Sequence, residues 1–289
     1  MGKLSEKELE QLQKINIEMA EYFVEFCNKH NLLCYLCGGG CIGTIRHQGM
    51  IPWDDDLDFF MPRRDYEQMW RLWKRENKNS RYVLEKSDAD HIDGNLFVTI
   101  RDSATTLVKP YQKDMDITHG VALDVIPIDG YPDSKFARKK QVIWALLYSL
   151  YCAQIVPENH GGKVALLGKI ALRLVPSKKM RYKIWKYAER QMTKYPISKC
   201  DGITELCSGP GYMKNWYPKK AFTEALVCPF EKTTMPIPKG YDEYLKIAFG
   251  DYMKLPPKDK QVGHHDALFM DLDTPFENYR GIYYCKEEQ

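Results

Sequence analysis

Residues 38–60, GGGCIGTIRHQGMIPWDDDLDFF, contain the pattern from which we predict the fold class. An apolar run at 32–37 precedes the three glycines and is expected to form a buried strand. A short helix is expected from Ile42 to His47, and a second strand from Leu57 to Met61. This order of strand, glycine turn, helix and acidic strand predicts an α/β (α+β) core.

The flanking segments extend this prediction. Ser5 and Glu8 have the spacing of a capping box, and helically spaced apolar residues predict one helix over 6–29. Further elements are expected as a helix at 65–76, strands at 82–85, 96–101, 105–108 and 121–126, a hairpin at 226–237, and a helix at 242–249 that ends at Gly250. We divide the chain into a catalytic core at 1–134, an apolar and basic helical insertion at 135–195, and a C-terminal segment at 196–289 that returns to the active site.

Length, charge and cysteine content limit the class of protein. With 289 residues, 44% of them hydrophobic and 28% charged, the chain can bury a core and is not disordered or low in complexity. The 42 Lys and Arg against 39 Asp and Glu give a net charge of +3, which does not indicate a nucleic-acid partner. No apolar segment follows the charged N-terminus, and nine cysteines are too sparse for a small disulfide scaffold. We therefore expect a reduced, cytoplasmic protein.

Four carboxylates lie within five residues, at Asp54, Asp55, Asp56 and Asp58. On a strand Asp56 and Asp58 point to the same side, and Asp54 joins them if the extended backbone starts early. Two like charges about 4 Å apart repel by about 4 kcal/mol at an effective dielectric constant of 20, so a compensating cation is expected. Oxygen ligands favour Mg²⁺ or Mn²⁺. A solvated acidic turn is the alternative, although the adjacent apolar residues draw the segment into the core.

The glycine run predicts an anion site beside the acidic cluster. Backbone N–H groups at Gly38, Gly39 and Gly40 would approach a phosphate at the start of the following helix. Arg46 and His47, one to two turns along that helix, would add donors to the same anion. Three glycines alone more often form a tight turn, so the prediction depends on the acidic strand that follows. The combination resembles the general signature of the nucleotidyltransferase superfamily.

A third carboxylate is expected on a later strand. Asp124 is the single charge in the apolar run 121–126, where burial is costly unless the charge is paired or metal-bound. An aspartate exposed at a strand edge is the alternative. We therefore predict Asp56, Asp58 and Asp124 as catalytic residues and metal ligands, with Asp54 as a further ligand. Arg101 is a candidate phosphate ligand, with a surface arginine as the alternative.

The segment from Gly38 to Asp58, continued by 61–67, resembles the LicD family of phosphotransferases, with fukutin-type proteins as distant relatives. Residues 120–132 resemble the second block of that family, and 241–265 resemble its C-terminal block. The family usually has Thr or Ser where this chain has Gly40, so a hydroxyl group near the phosphate is missing here. The resemblance implies a nucleotidyltransferase-like mixed sheet with a helical insertion.

The resemblance also implies a reaction. A substituted phosphate, typically phosphocholine from CDP-choline, is transferred to a sugar hydroxyl of a cell-surface polysaccharide, teichoic acid or lipopolysaccharide precursor, with release of CMP. Related branches use CDP-ribitol. It further implies that His264 and His265 contact phosphate or lie near the metal, with a polar loop pair as the alternative. A nucleotidyltransferase that releases pyrophosphate and a non-catalytic glycan- or membrane-binding protein of the same fold remain alternatives.

The middle of the chain differs in charge from the rest. Residues 135–190 contain 13 Lys or Arg and 2 Asp or Glu, a net charge of +11, so the remainder carries −8. The apolar stretches at 142–156 and 164–175 are shorter than the roughly 20 residues that span a bilayer. Two interpretations are equally open: peripheral docking to an anionic inner membrane face, where a lipid-linked glycan acceptor would lie, or a helical subdomain packed on the core.

Overall fold

The computed structural model describes residues 4–154, 162–263 and 267–286. Within these ranges, the centre is a mixed sheet of seven strands in which only one pair is parallel. The strands of this sheet are β1 (Tyr35–Leu36), β2 (Asp58–Pro62), β3 (Tyr82–Glu85), β4 (Val98–Asp102), β6 (Val121–Tyr131), β7 (Gly202–Glu205) and β8 (Tyr217–Pro218). Two smaller antiparallel pairs are β5 (Thr106–Val108) with β11 (Phe269–Asp271), and β9 (Ala225–Phe230) with β10 (Thr233–Pro238). The predicted α/β (α+β) class and the hairpin are confirmed.

The long strand β6 determines where the site forms. The sheet order is β1-β2-β6-β4-β3, and β7 pairs with the second half of β6. Strand β2 runs parallel to β6 and places Asp58 opposite Asp124. On the other side, β4 runs antiparallel and places Thr99 opposite the same aspartate. Because directly paired residues share one face of a sheet, these three side chains are neighbours.

Helices cover both faces of the sheet. They are α1 (Glu6–Lys29), α2 (Gly38–His47), α3 (Arg63–Glu76), α4 (Lys135–Ala153), α5 (Gly162–Leu174), α6 (Lys178–Met192), α7 (Pro210–Met213) and α8 (Tyr241–Phe249). Phe59 packs against Phe23 of α1, with ring centroids 5.0 Å apart, whereas Phe60 packs against Tyr244 of α8 at 5.7 Å. Since successive strand residues alternate in direction, Asp58 lies on the same face as Phe60 and α8.

The helical insertion is attached to the sheet through α4. The side-chain amide of Gln141 donates to the backbone carbonyls of Gly130 and Met192, both at 2.9 Å, which joins α4 to β6 and α6. The hydroxyl of Tyr148 donates to the carbonyl of Leu96 at 2.7 Å. Helix α5 instead leaves large apolar side chains exposed. Among the residues described, no helix is both long and apolar enough to cross a membrane.

Two local predictions differ from the structure. The strand expected at 32–37 is limited to Tyr35–Leu36, because only these two residues pair with β2. The helix expected from Ile42 begins earlier, at Gly38, whose φ of +51° lets the chain turn from β1 directly into a helix. The glycines are thus the first turn of α2 rather than a loop before it. The helices predicted at 6–29, 65–76 and 242–249 are confirmed within two residues at each end.

Candidate active site

Helix α1 holds the acidic loop between α2 and β2. The side-chain amide of Gln13 donates to the backbone carbonyl of Asp54 at 2.8 Å, and that of Asn16 donates to the carbonyl of Asp55 at 3.0 Å. Carboxylate oxygens of Asp54, Asp55 and Asp56 lie within 4.8 Å of one another. Helix α1 therefore fixes the backbone of the acidic loop. The side chains of Asp54, Asp55 and Asp56 lie close enough together to bind one cation.

Four carboxylates and one ammonium group line a narrow cavity of about 40 Å³ next to this loop. The charged residues of its lining are Asp55, Asp56, Asp58, Asp124 and Lys109. The structure thus brings together the three carboxylates predicted to be catalytic. The described lining thus holds four carboxylates and one ammonium group, and at an effective dielectric constant of about 20 each close pair of like charges costs about 4 kcal/mol. The donor chemistry and the excess negative charge suit a divalent cation.

The carboxylate of Asp124 is oriented by its neighbours. The hydroxyl of Thr99 donates to Asp124 Oδ1 at 2.9 Å, and the amide of Asn95 donates to Thr99 in turn at 2.9 Å. Burial is the largest single effect and lowers the pKa of Lys109, but the negative charges of Asp124, Tyr111 and Asp58 together outweigh it, so the pKa lies above its ordinary value. Lys109 therefore remains a cation inside the site.

Lys109 and Asp55 are the residues that the sequence reasoning missed. Lys109 follows β5, and its position depends on the pairing of β5 with β11 across more than 150 residues of chain. No local pattern encodes such a pairing. Asp55 is one of the four acidic residues of the sequence pattern but is not among the predicted metal ligands. It lines the cavity because the loop becomes a strand only at Asp58.

The first turn of α2 touches the acidic loop. A methyl group built on Gly39 would overlap the carboxylate of Asp54, so only glycine allows this approach. The backbone N–H of Gly38 donates to the hydroxyl of Tyr244 at 3.0 Å, which ties α8 to the site. A Cβ on Gly40 would lie 3.1 Å from Leu57 Cδ2, inside the apolar packing. Any role of Gly40 in binding is thus restricted to its backbone.

Arg46 and His47 lie at the other end of α2 and are not among the residues that line the acidic cavity. Arg46 Nη1 donates to the carbonyl of Tyr252 at 2.8 Å. Burial lowers the pKa of Arg46, and the charge of Asp54 acts against this. Burial, with the charge of Arg46, also lowers the pKa of His47. Their predicted contact with phosphate stays a prediction.

Arg101 is not a surface arginine. Its side chain has an exposed fraction of 0% and donates from Nη2 to Gln112 Oε1 at 3.2 Å. Nε and Nη1 are buried without a hydrogen-bond partner among the residues described. The alternative of a surface position is therefore wrong. The predicted contact of Arg101 with phosphate stays a prediction, and among the described residues Lys109 is the cation that lines the acidic cavity.

His264 and His265 lie outside the described residues, so their predicted role stays a prediction. The residue before them, Gly263, lies against the acidic loop. A Cβ built on Gly263 would be 2.8 Å from Asp55 Oδ2. The C-terminal segment thus reaches the site at this point, as it does through Tyr244.

Comparison with known proteins identifies the family of this chain. A family model described as "LicD/FKTN/FKRP, nucleotidyltransferase domain" matches residues 31–139, the segment that carries α2, the acidic loop, Lys109 and Asp124. The lipopolysaccharide cholinephosphotransferase LicD of Haemophilus influenzae is 30% identical over 265 residues, which cover 89% of this chain and 96% of that relative. The match extends beyond the core to nearly the whole length of both proteins, and the chain therefore belongs to the LicD family of transferases.

Proposed function

We propose that this transferase moves phosphocholine from CDP-choline to a sugar hydroxyl of a lipopolysaccharide, teichoic acid or related cell-surface precursor, and releases CMP. The similar Haemophilus protein is named a lipopolysaccharide cholinephosphotransferase. The observation that carries the proposal is the pairing of Asp58 with Asp124 in one cavity that also contains Lys109. This arrangement suits a diphosphate ester, whose negative charge requires cations on both sides.

The residues fit a divalent cation, Mg²⁺ or Mn²⁺. Asp56 and Asp58 would hold it, with Asp54 within reach of Asp56 and Asp124 on the neighbouring strand. When bound, such an ion neutralises charge on the phosphate oxygens and on the CMP leaving group. The fit rests on the oxygen donors and on the excess of negative charge among the described residues of the cavity.

The other residues of the site would position the substrate and balance the charge of its phosphates. The ammonium group of Lys109 faces Asp124 and would contact the nonbridging phosphate oxygens. Asp124 would share the metal or accept the proton of the acceptor hydroxyl, and Thr99 fixes the orientation of its carboxylate for either role. The N-terminus of α2, next to Asp54, would add a favourable dipole for a phosphate.

A donor comparison tests the proposed function. The protein is incubated with lipopolysaccharide or teichoic acid precursor, Mg²⁺ or Mn²⁺, and CDP-choline, CDP-ribitol or CDP-glycerol, and CMP and labelled polymer are measured. We expect CDP-choline to give the fastest CMP release with choline incorporated into the acceptor. A higher rate with CDP-ribitol would assign the protein to the branch of the family that uses CDP-ribitol. Pyrophosphate release from CTP and phosphocholine would show a nucleotidyltransferase, and no turnover with any donor would favour a binding protein.

We further propose that α5 docks the enzyme on an anionic membrane surface, where a lipid-linked acceptor would lie. Leu167, Ile170 and Leu174 recur at helical spacing along α5 and are all exposed. The exposed basic residues Lys169 and Arg173 lie on the same helix. Helix α4 is bonded to the core and to α6, and it also exposes Phe136 and Ile143, so α5 is one of the helices of the insertion that offer apolar surface to lipid.

The triple variant Leu167→Ser, Ile170→Ser, Leu174→Ser should bind vesicles that contain phosphatidylglycerol at least about 10-fold more weakly, because each leucine-sized side chain contributes up to about 2 kcal/mol on burial. Co-sedimentation measures the effect. Val227→Ser, an equally exposed apolar residue on β9, serves as the matched control. Equal binding of the triple variant and the wild type would show that α5 is not the docking surface.

A further inference from the structure

A second cavity, of about 300 Å³, opens next to the acidic one and has a different lining. Asp58 borders both cavities, and Gly38 of α2 borders the second one. Its wall contains five aromatic side chains: Phe60, Phe97, Tyr212, Tyr244 and Phe249. A phosphate bound next to Asp58 through a cation would therefore lie beside the aromatic cavity.

The aromatic rings form a continuous wall. Ring centroids are 5.7 Å apart for Phe60 and Tyr244, 6.4 Å for Tyr244 and Phe249, and 6.3 Å for Phe249 and Tyr212. Tyr212 and Phe249 are 37% and 38% exposed, so they stand at the mouth of the cavity, whereas Tyr244 and Phe60 lie inside. Aromatic faces attract cations that have no hydrogen-bond donors, above all quaternary ammonium groups.

One buried carboxyl group lines the same chamber. Glu205, on β7, is only 3% exposed and accepts a hydrogen bond from the hydroxyl of Tyr217. No lysine, arginine or histidine is among the described residues of this lining. Burial raises the pKa of Glu205 to about 7, although the hydrogen bond from Tyr217 acts against it, so the carboxyl group is partly neutral at neutral pH in the free protein. A cationic ligand in this cavity would stabilise the ionised form of Glu205 and lower its pKa.

We propose that this cavity is the subsite for the trimethylammonium group of the donor, with Glu205 as its counter-charge and Tyr212 and Phe249 closing around it. The inference rests on the proposed function. The two-carbon linker of choline would join this group to the phosphate at Asp58, and the cytidine would lie on the other side of the phosphates. The mechanism above does not use Glu205, and a neutral glycerol or ribitol group would gain nothing from a buried carboxylate.

The test compares CDP-choline with its neutral isostere, the CDP ester of 3,3-dimethylbutan-1-ol, in which carbon replaces the ammonium nitrogen. We expect the wild type to prefer CDP-choline by about 10-fold or more in kcat/KM, and Glu205→Gln to reduce the preference to near unity. The inhibition constant of CMP should stay within about twofold, because the nucleotide lies elsewhere. Glu224→Gln, an exposed carboxylate on the surface, is the matched control and should keep the preference.

Calorimetry with phosphocholine separates this inference from the proposed reaction, since it needs no turnover. Tyr212→Ala should weaken phosphocholine binding about 10-fold, whereas Tyr212→Phe, which keeps the ring, should bind as the wild type does. If phosphocholine binding depends on Glu205 but CDP-choline is not turned over, the subsite proposal holds and the proposed reaction is wrong. Absence of phosphocholine binding to the folded wild type would overturn the subsite. If these variants weaken the binding of CMP but not that of phosphocholine, the subsite proposal is also wrong, because the cavity would then bind the nucleoside.

Discussion

Asp58→Asn is expected to lower kcat by about 10³-fold or more, equivalent to about 4 kcal/mol in activation free energy. Asp58 lies opposite Asp124 on the parallel strand and borders both the acidic and the aromatic cavity. Asparagine keeps the size of the side chain but removes a charged ligand of the proposed metal. The measurement is the initial rate of CMP release at saturating CDP-choline and Mn²⁺.

Thermal unfolding separates loss of the metal site from loss of the fold. Without metal, Asp58→Asn should be as stable as the wild type or more so, because one of four crowded carboxylates has lost its charge. Mn²⁺ should raise the unfolding temperature of the wild type but not of the variant, since a ligand that binds only the native state stabilises it. Asp133→Asn, an exposed aspartate after β6, is the control and should behave as the wild type. Full activity of Asp58→Asn would exclude the proposed metal site.

Lys109→Met is expected to lower kcat/KM for CDP-choline about 100-fold, equivalent to about 2.7 kcal/mol. The ammonium group is the single cation among the described residues that line the acidic cavity. Its loss removes a contact to the phosphate oxygens and one positive charge that offsets the repulsion between Asp58 and Asp124. The measurement is the steady-state rate as a function of donor concentration, together with a titration of Mn²⁺ binding.

The two variants should affect metal binding in opposite directions. Lys109→Met should bind Mn²⁺ as tightly as the wild type or more tightly, because a competing positive charge has gone, whereas Asp58→Asn should bind it more weakly. Lys113→Met, an exposed lysine paired with Asp114, controls for a general loss of charge. An unchanged kcat/KM in Lys109→Met would show that this lysine only balances the carboxylates and does not meet the substrate.

Local sequence patterns were sufficient for the elements that carry the acidic groups. The capping box at Ser5 and the apolar spacing that follows set helix α1, and both are interactions between residues a few positions apart. The same holds for β2, because the apolar run after Asp58 predicts a strand there, although Asp56 lies before the strand and not on it. Asp124 was recognised as a lone charge in an apolar strand, and the structure places it beside Asp58.

The tertiary structure alone decided which residues complete the two cavities. Lys109 reaches the acidic cavity through the pairing of β5 with β11, and Glu205 reaches the aromatic one through the pairing of β7 with the extended half of β6. Arg101, two residues from Thr99 on the same strand, is instead fully buried. Periodicity within a segment reports which face of that segment is buried. It contains no information on which distant strand lies beside it, because that choice depends on packing across the whole sheet.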